Sequence, residues 1–149
     1  MTGVQCGHSR FERCYEPGMA PRVLFALNVA LLTTHQADAA YQREWDVFGV
    51  PGGPAFFFAF NALAVLLLAL GLGAVASGHP RARHAVVACA VLGLVTCAIH
   101  AVFLFIDATA FHGAASLLIL DGVFCVSIAQ LVTSRRSPAP GHGTAALQR

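Results

Sequence analysis

Ala55-Phe56-Phe57-Phe58-Ala59-Phe60-Asn61-Ala62-Leu63-Ala64-Val65-Leu66-Leu67-Leu68-Ala69-Leu70-Gly71-Leu72-Gly73-Ala74-Val75-Ala76 carries one polar side chain, Asn61, and no charge. A hydrocarbon core about 30 Å thick needs roughly 20 apolar residues per helical crossing, and this run supplies them. Its apolar residues do not alternate with polar ones, as the short strands of a membrane β-barrel require. It therefore reads as a membrane-spanning helix.

Three further stretches read the same way. Residues 23–40 are the most polar, holding Asn28, His35 and Asp38; residues 85–106 carry no Asp, Glu or Arg; residues 113–132 carry one charge, Asp121. The whole chain is 57% hydrophobic and 11% charged. A soluble domain carries about 25% charged residues, so most of the surface that would keep such helices in water is missing. The expectation is an all-α polytopic membrane protein, an up-down bundle of four transmembrane helices over residues 21–134 with the lipid bilayer as its surroundings. Residues 1–20 and 135–149 read as disordered cytoplasmic tails. Met19 would make a natural start, since residues 1–18 look unlike the rest. Cys6, His8 and Cys14 there fit no zinc spacing.

The nine basic residues are all arginines. Arg10, Arg13 and Arg22 precede the first stretch, Arg81 and Arg83 fall between the second and third, and Arg135, Arg136 and Arg149 follow the fourth. Arg43 alone lies on the other side. By the positive-inside rule, both termini and the middle loop are expected in the cytoplasm of a multi-pass inner-membrane protein, with loops 41–54 and 107–112 outside. The first stretch ends in His35-Gln36-Ala37-Asp38, a poor cleavage context for a signal peptide. So few basic residues, accounted for by topology, give no footing for nucleic acid.

Function must come from the polar residues within the spans. At 100° and 1.5 Å per residue, Cys89, Gly93, Thr96 and Asp107 fall within about 40° of His100 on one stripe of the third stretch. In the first, Asn28, His35 and Gln42 share a heptad face, with Asp38 about 60° away. Lipid cannot satisfy such groups, so both stripes are expected to face the bundle interior. His35, His100 and Asn61 each lie about 9 Å below the outer boundary by the same rise, which places three helices' polar groups in one layer. Asp38, Asp107 and His112 sit above it. Asn28 and Asn61 read first as interhelical hydrogen-bonding residues. Tyr41 and Trp45 suit an aromatic interface belt, and Glu44 suits a solvated loop position or a pair with Arg43. Asp121, near mid-membrane, is either protonated or meets a second subunit.

Thr34-His35-Gln36-Ala37-Asp38-Ala39 followed by Arg43-Glu44-Trp45 resembles a family of small bacterial membrane proteins of unknown function, whose members look like four-helix proteins with the pattern T-H-x-x-D-A-x(4)-E-W. The resemblance covers roughly residues 22–132. It implies the fold and points at His35, Asp38, Glu44 and Trp45, but implies no reaction. Three uses of the polar layer stay open. A divalent transition metal is one, held by His35, Asp38 and His100 with Asp107 or His112, since imidazole and carboxylate suit zinc, iron or manganese. Haem b with His35 and His100 as axial ligands is another. A layer that only locks the packing of a structural subunit, in a homo-oligomer or larger membrane complex, is the third. Walker, G-x-S-x-G, H-E-x-x-H and G-x-G-x-x-G signatures are absent.

Overall fold

The computed structural model describes residues 19–106 and 113–136, which form five helices. These are α1 (Met19–Tyr41), α2 (Glu44–Val47), α3 (Gly53–Ala76), α4 (Ala82–Ile106) and α5 (Ala114–Arg136). No strand occurs among the described residues. α3, α4 and α5 are each long and apolar enough to cross a membrane. α1 is 23 residues long, and its polar side chains keep it outside that group.

Two helices show where the core lies. The buried positions of α1 are Phe25, Asn28, Leu32, His35 and Ala39. Those of α5 are Ser116, Leu120, Val123, Ser127, Gln130 and Ser134. Both sets step by three and four residues, the spacing that keeps one seam facing a neighbour along nearly parallel axes. The seams run in opposite directions: Asn28 reaches Gln130 near one end, and Gln42 lies beside Gly113 near the other. α3 also runs against α1, since Phe25 packs on Gly71 while His35 and Asn61 line one cavity.

The interior and exterior are inverted relative to a water-soluble bundle. Asn28, His35, Glu44, His100, Ser127 and Gln130 are buried, while Phe58, Phe60, Leu66, Leu70, Leu118 and Val102 are exposed. Exposed apolar surface on this scale is consistent with contact with a lipid bilayer. The apolar share of the core is small, built on Phe25, Leu32, Leu68, Val75, Val86 and Val123.

The stripe expected on α4 does face inward, with Cys89, Gly93 and His100 all buried. Gly93 has a steric reason to be glycine: a Cβ there would run into Ser127 Oγ and press on Val123. α4 and α5 thus touch almost backbone to side chain, as small residues allow in membrane bundles. On α1 the expected face needs one correction. Gln42 lies beyond the end of the helix and is exposed, because the chain turns there.

That turn positions the site. Arg43 takes φ 55° and ψ 44°, the left-handed region, which costs a non-glycine residue roughly 1–2 kcal/mol. It reverses the chain after α1, so the short α2 folds back over the end of the bundle. Gly52 (φ 83°) then redirects the chain again, and Pro54 occupies the first turn of α3, where a missing N–H costs nothing.

Candidate functional site

At the end of the bundle covered by α2, three helices converge on a buried polar cluster. His35 comes from α1, Glu44 from α2 and His100 from α4; all three are buried, and one ligand-capable atom from each lies within 4.8 Å of the other two. The imidazoles meet edge to face with centroids 4.8 Å apart. Phe48 closes on His100 from the side, at 5.4 Å.

His100 is oriented from both ends. Its Nδ1 lies 2.8 Å from the carbonyl oxygen of Thr96; a carbonyl only accepts, so Nδ1 carries the proton and donates. Its Nε2 lies 3.3 and 3.2 Å from the two carboxylate oxygens of Glu44. One further proton must therefore lie between Nε2 and Glu44, held either as an imidazolium–carboxylate pair or as a neutral imidazole accepting from a carboxylic acid. Glu44 is only 2% exposed, and an unpaired carboxylate so placed would be strongly unfavourable.

Two other polar groups border the cluster without a partner among the described residues. His35 Nδ1 and Asn61 Nδ2 are buried and make no hydrogen bond there. Asp38, one turn beyond His35, also has an unpartnered buried oxygen, Oδ2. A cavity of about 310 Å³ adjoins the cluster, bordered by His35, Glu44, Asn61 and His100 and by several phenylalanines.

The structure brings His35 and His100 together with Asn61 nearby, but the third member of the cluster is Glu44 and not the expected Asp38. Asp107 and His112 lie outside the described residues. Glu44 requires a correction. It is neither a solvated loop charge nor a partner of Arg43, whose guanidinium pairs instead with Asp46 at 2.9 Å. The left-handed turn at Arg43 swings Glu44 inward, a step that helical periodicity cannot reveal. Trp45 is half-buried and packs against Phe57 and Phe58, whereas Tyr41 is exposed.

A second polar cluster occupies the opposite half of the bundle. Asn28 Nδ2 donates to Gln130 Oε1 at 2.7 Å and to Ser127 Oγ at 3.1 Å, and Gln130 Nε2 donates to the Val86 carbonyl at 2.9 Å. Asn28 is thus an interhelical hydrogen-bonding residue joining α1 to α5, while Gln130 extends the chain of bonds to α4. Ser127 and Gln130 carry no ionisable group, but their i, i+3 spacing within an apolar run is a readable signal of a shared helix face. Asp121 faces away from the bundle, with Cys125 Sγ 4.0 Å from its Oδ1.

No curated protein and no solved structure matches the chain. A family model does match, over residues 21–137, which include all five helices except the first two residues of α1. Its description is a family of unknown function, DUF6713, and the chain belongs to that family.

Proposed function

We propose that this chain is a four-span, up-down membrane protein with cytoplasmic termini, and that His35, Glu44 and His100 hold a divalent transition metal in the outer half of the bundle. The observation that carries the metal is the convergence of three buried ligand-capable side chains from three helices. Zinc takes His nitrogen and carboxylate oxygen at about 2.0–2.2 Å in tetrahedral sites, so ligand atoms stand about 3.3 Å apart. Drawing in the widest gap of 4.8 Å takes about 1.5 Å, within reach of side-chain rotation. The Thr96 carbonyl on His100 Nδ1 is the support that metal-bound histidines commonly have. Three protein ligands leave a fourth position open toward the cavity, the pattern of zinc sites that bind a further molecule.

Haem b suits the arrangement less well. Two axial histidines stand on opposite faces of a macrocycle, whereas these rings touch each other and Glu44 contacts Nε2 of His100. α1 counts as the fourth span because Asn28 and His35 are buried, while the hydroxyls of Thr33 and Thr34 donate to the carbonyls of Val29 and Ala30. At 1.5 Å per residue its 23 residues reach about 35 Å. The outward-facing Asp121 is a reason to expect a second subunit in the membrane.

Purification in mild detergent, zinc reconstitution and elemental analysis test the metal. Wild type should retain stoichiometric metal, His35→Ala and His100→Ala should lose it, and Asn28→Leu should keep it. A wild type that remains empty sinks the proposal. Reporter fusions after Arg83 and Arg136 should behave as cytoplasmic and one after Asp46 as external; an external signal at Arg83 would reverse the orientation.

A further inference from the structure

We infer that the cavity beside the His/Glu cluster is the head-group site of a lipophilic quinone, with its tail lying along a groove between α3 and α4. This deepens the proposed site: it rests on the membrane reading but not on the ion.

The head-group end is defined by what it lacks. Asn61 is 8% exposed, and its Nδ2 has no hydrogen-bond partner among the described residues. Burying an amide without a bond costs about 1–3 kcal/mol. A ligand that supplies an acceptor oxygen recovers that cost. His35 Nδ1 stands unpartnered on the same cavity and donates whenever its proton sits there. The rest of the lining is largely aromatic, with Phe48, Phe56, Phe57 and Phe60. A ring carbonyl at Asn61, with its flat ring among the phenylalanines, matches both the unpartnered amide and the aromatic lining. At about 310 Å³ the space lies at the lower end for ligand sites. It takes a substituted ring and excludes a whole diacyl lipid.

The tail has its own space. A second cavity of about 320 Å³ lies farther along the same two helices, between Leu63, Ala64 and Leu67 of α3 and Ala88 and Leu92 of α4. Its lining is almost wholly apolar. Phe60 borders both cavities, so one molecule passing that ring would fill the two in sequence. A polar head followed by an apolar tail is the shape this pair of spaces accepts. Phe60 and Leu67 are themselves exposed to the surrounding medium, giving access from the bilayer.

Trp45, the chain's single tryptophan, reports the site. Its ring lies 5.3 Å from that of Phe57, a wall of the head-group cavity, and quinones quench tryptophan emission at short range. Full-length zinc-loaded protein in mild detergent is titrated with decylubiquinone, following Trp45 fluorescence, with metal content measured on the same samples. Saturable quenching is expected. Asn61→Leu should weaken binding about fivefold, the effect of one lost hydrogen bond, with metal content unchanged. Ala64→Phe should weaken decylubiquinone while sparing a tail-less benzoquinone, because it fills only the second cavity. Non-saturable quenching, or identical titrations for wild type and Asn61→Leu, would overturn the inference while leaving the metal proposal standing. Equal displacement of the quinone by a short-chain phosphatidylcholine would assign the acceptor to a lipid ester and overturn it too. Saturable quenching by a protein without metal supports the quinone and removes only the ion.

Discussion

Replacing Glu44 by glutamine separates the ion from the packing. Glutamine has nearly the same shape, and its amide donates to a neutral His100 Nε2 where the carboxylate pair now shares a proton. The two contacts it replaces are long, 3.2 and 3.3 Å, and both converge on one nitrogen, so the exchange removes little net bonding. We expect a stability change within about 1 kcal/mol, the scale of one ordinary hydrogen bond. Zinc binding should respond very differently. The variant loses an anionic ligand outright, and since altering only a supporting contact typically costs 10- to 100-fold, a loss of roughly 100-fold or more is expected. The pH dependence carries a second signature. His100 Nδ1 already donates to Thr96, so the ion must displace the proton between Nε2 and Glu44. Wherever the pair holds that proton, affinity falls as pH falls, by about tenfold or about 1.4 kcal/mol per pH unit. Glu44→Gln carries no such proton, and its slope should be flatter. Zinc titration against a competing chelator across a pH series, alongside unfolding in detergent, measures both quantities. Zinc affinity in Glu44→Gln within threefold of wild type would refute Glu44 as a ligand. A wild-type affinity independent of pH would refute the shared proton.

Other perturbations test the scaffold. Asn28→Leu strips partners from Ser127 and Gln130 and should cost about 1–3 kcal/mol in unfolding from mixed micelles; a neutral result would mean the network contributes nothing net. Gly93→Ala drives a methyl into Ser127 Oγ and should destabilise by about 1–3 kcal/mol, with part of the loss recovered when Ser127→Ala is added. Additive effects of the two substitutions would show that the helices shift rather than clash. Arg43→Gly should raise stability by about 1 kcal/mol in the same assay, because glycine adopts the left-handed conformation without strain and the exposed pair with Asp46 is worth little. A loss of stability there would mean the turn is held by the ion pair.

Membrane-suited apolar runs and inward-facing polar stripes were legible from the residues alone. Apolar runs as long as those of α3, α4 and α5 suit a membrane, and polar groups such as Asn28, His35 and His100 on otherwise apolar helices tend to turn inward, a preference that acts on each helix separately. The DUF6713 match likewise resides in the sequence. Which residues meet at the site depended on how the helices pack and where the chain turns. Helical periodicity ends with α1, and the direction taken afterwards is set by one left-handed residue, Arg43, that no hydropathy pattern marks. By position Glu44 therefore read as a loop charge, although the T-H-x-x-D-A-x(4)-E-W pattern pointed at it, and it lies against His100. Asn61 could be assigned to the right layer from its depth, but its missing partner and the cavity beside it exist only once α3 packs against α4. The same holds for Ser127 and Gln130, whose value depends on Asn28 arriving from a helix about 100 residues away in the chain. Local forces fix which face of a helix turns inward; the identity of its neighbours is settled by how the faces fit together.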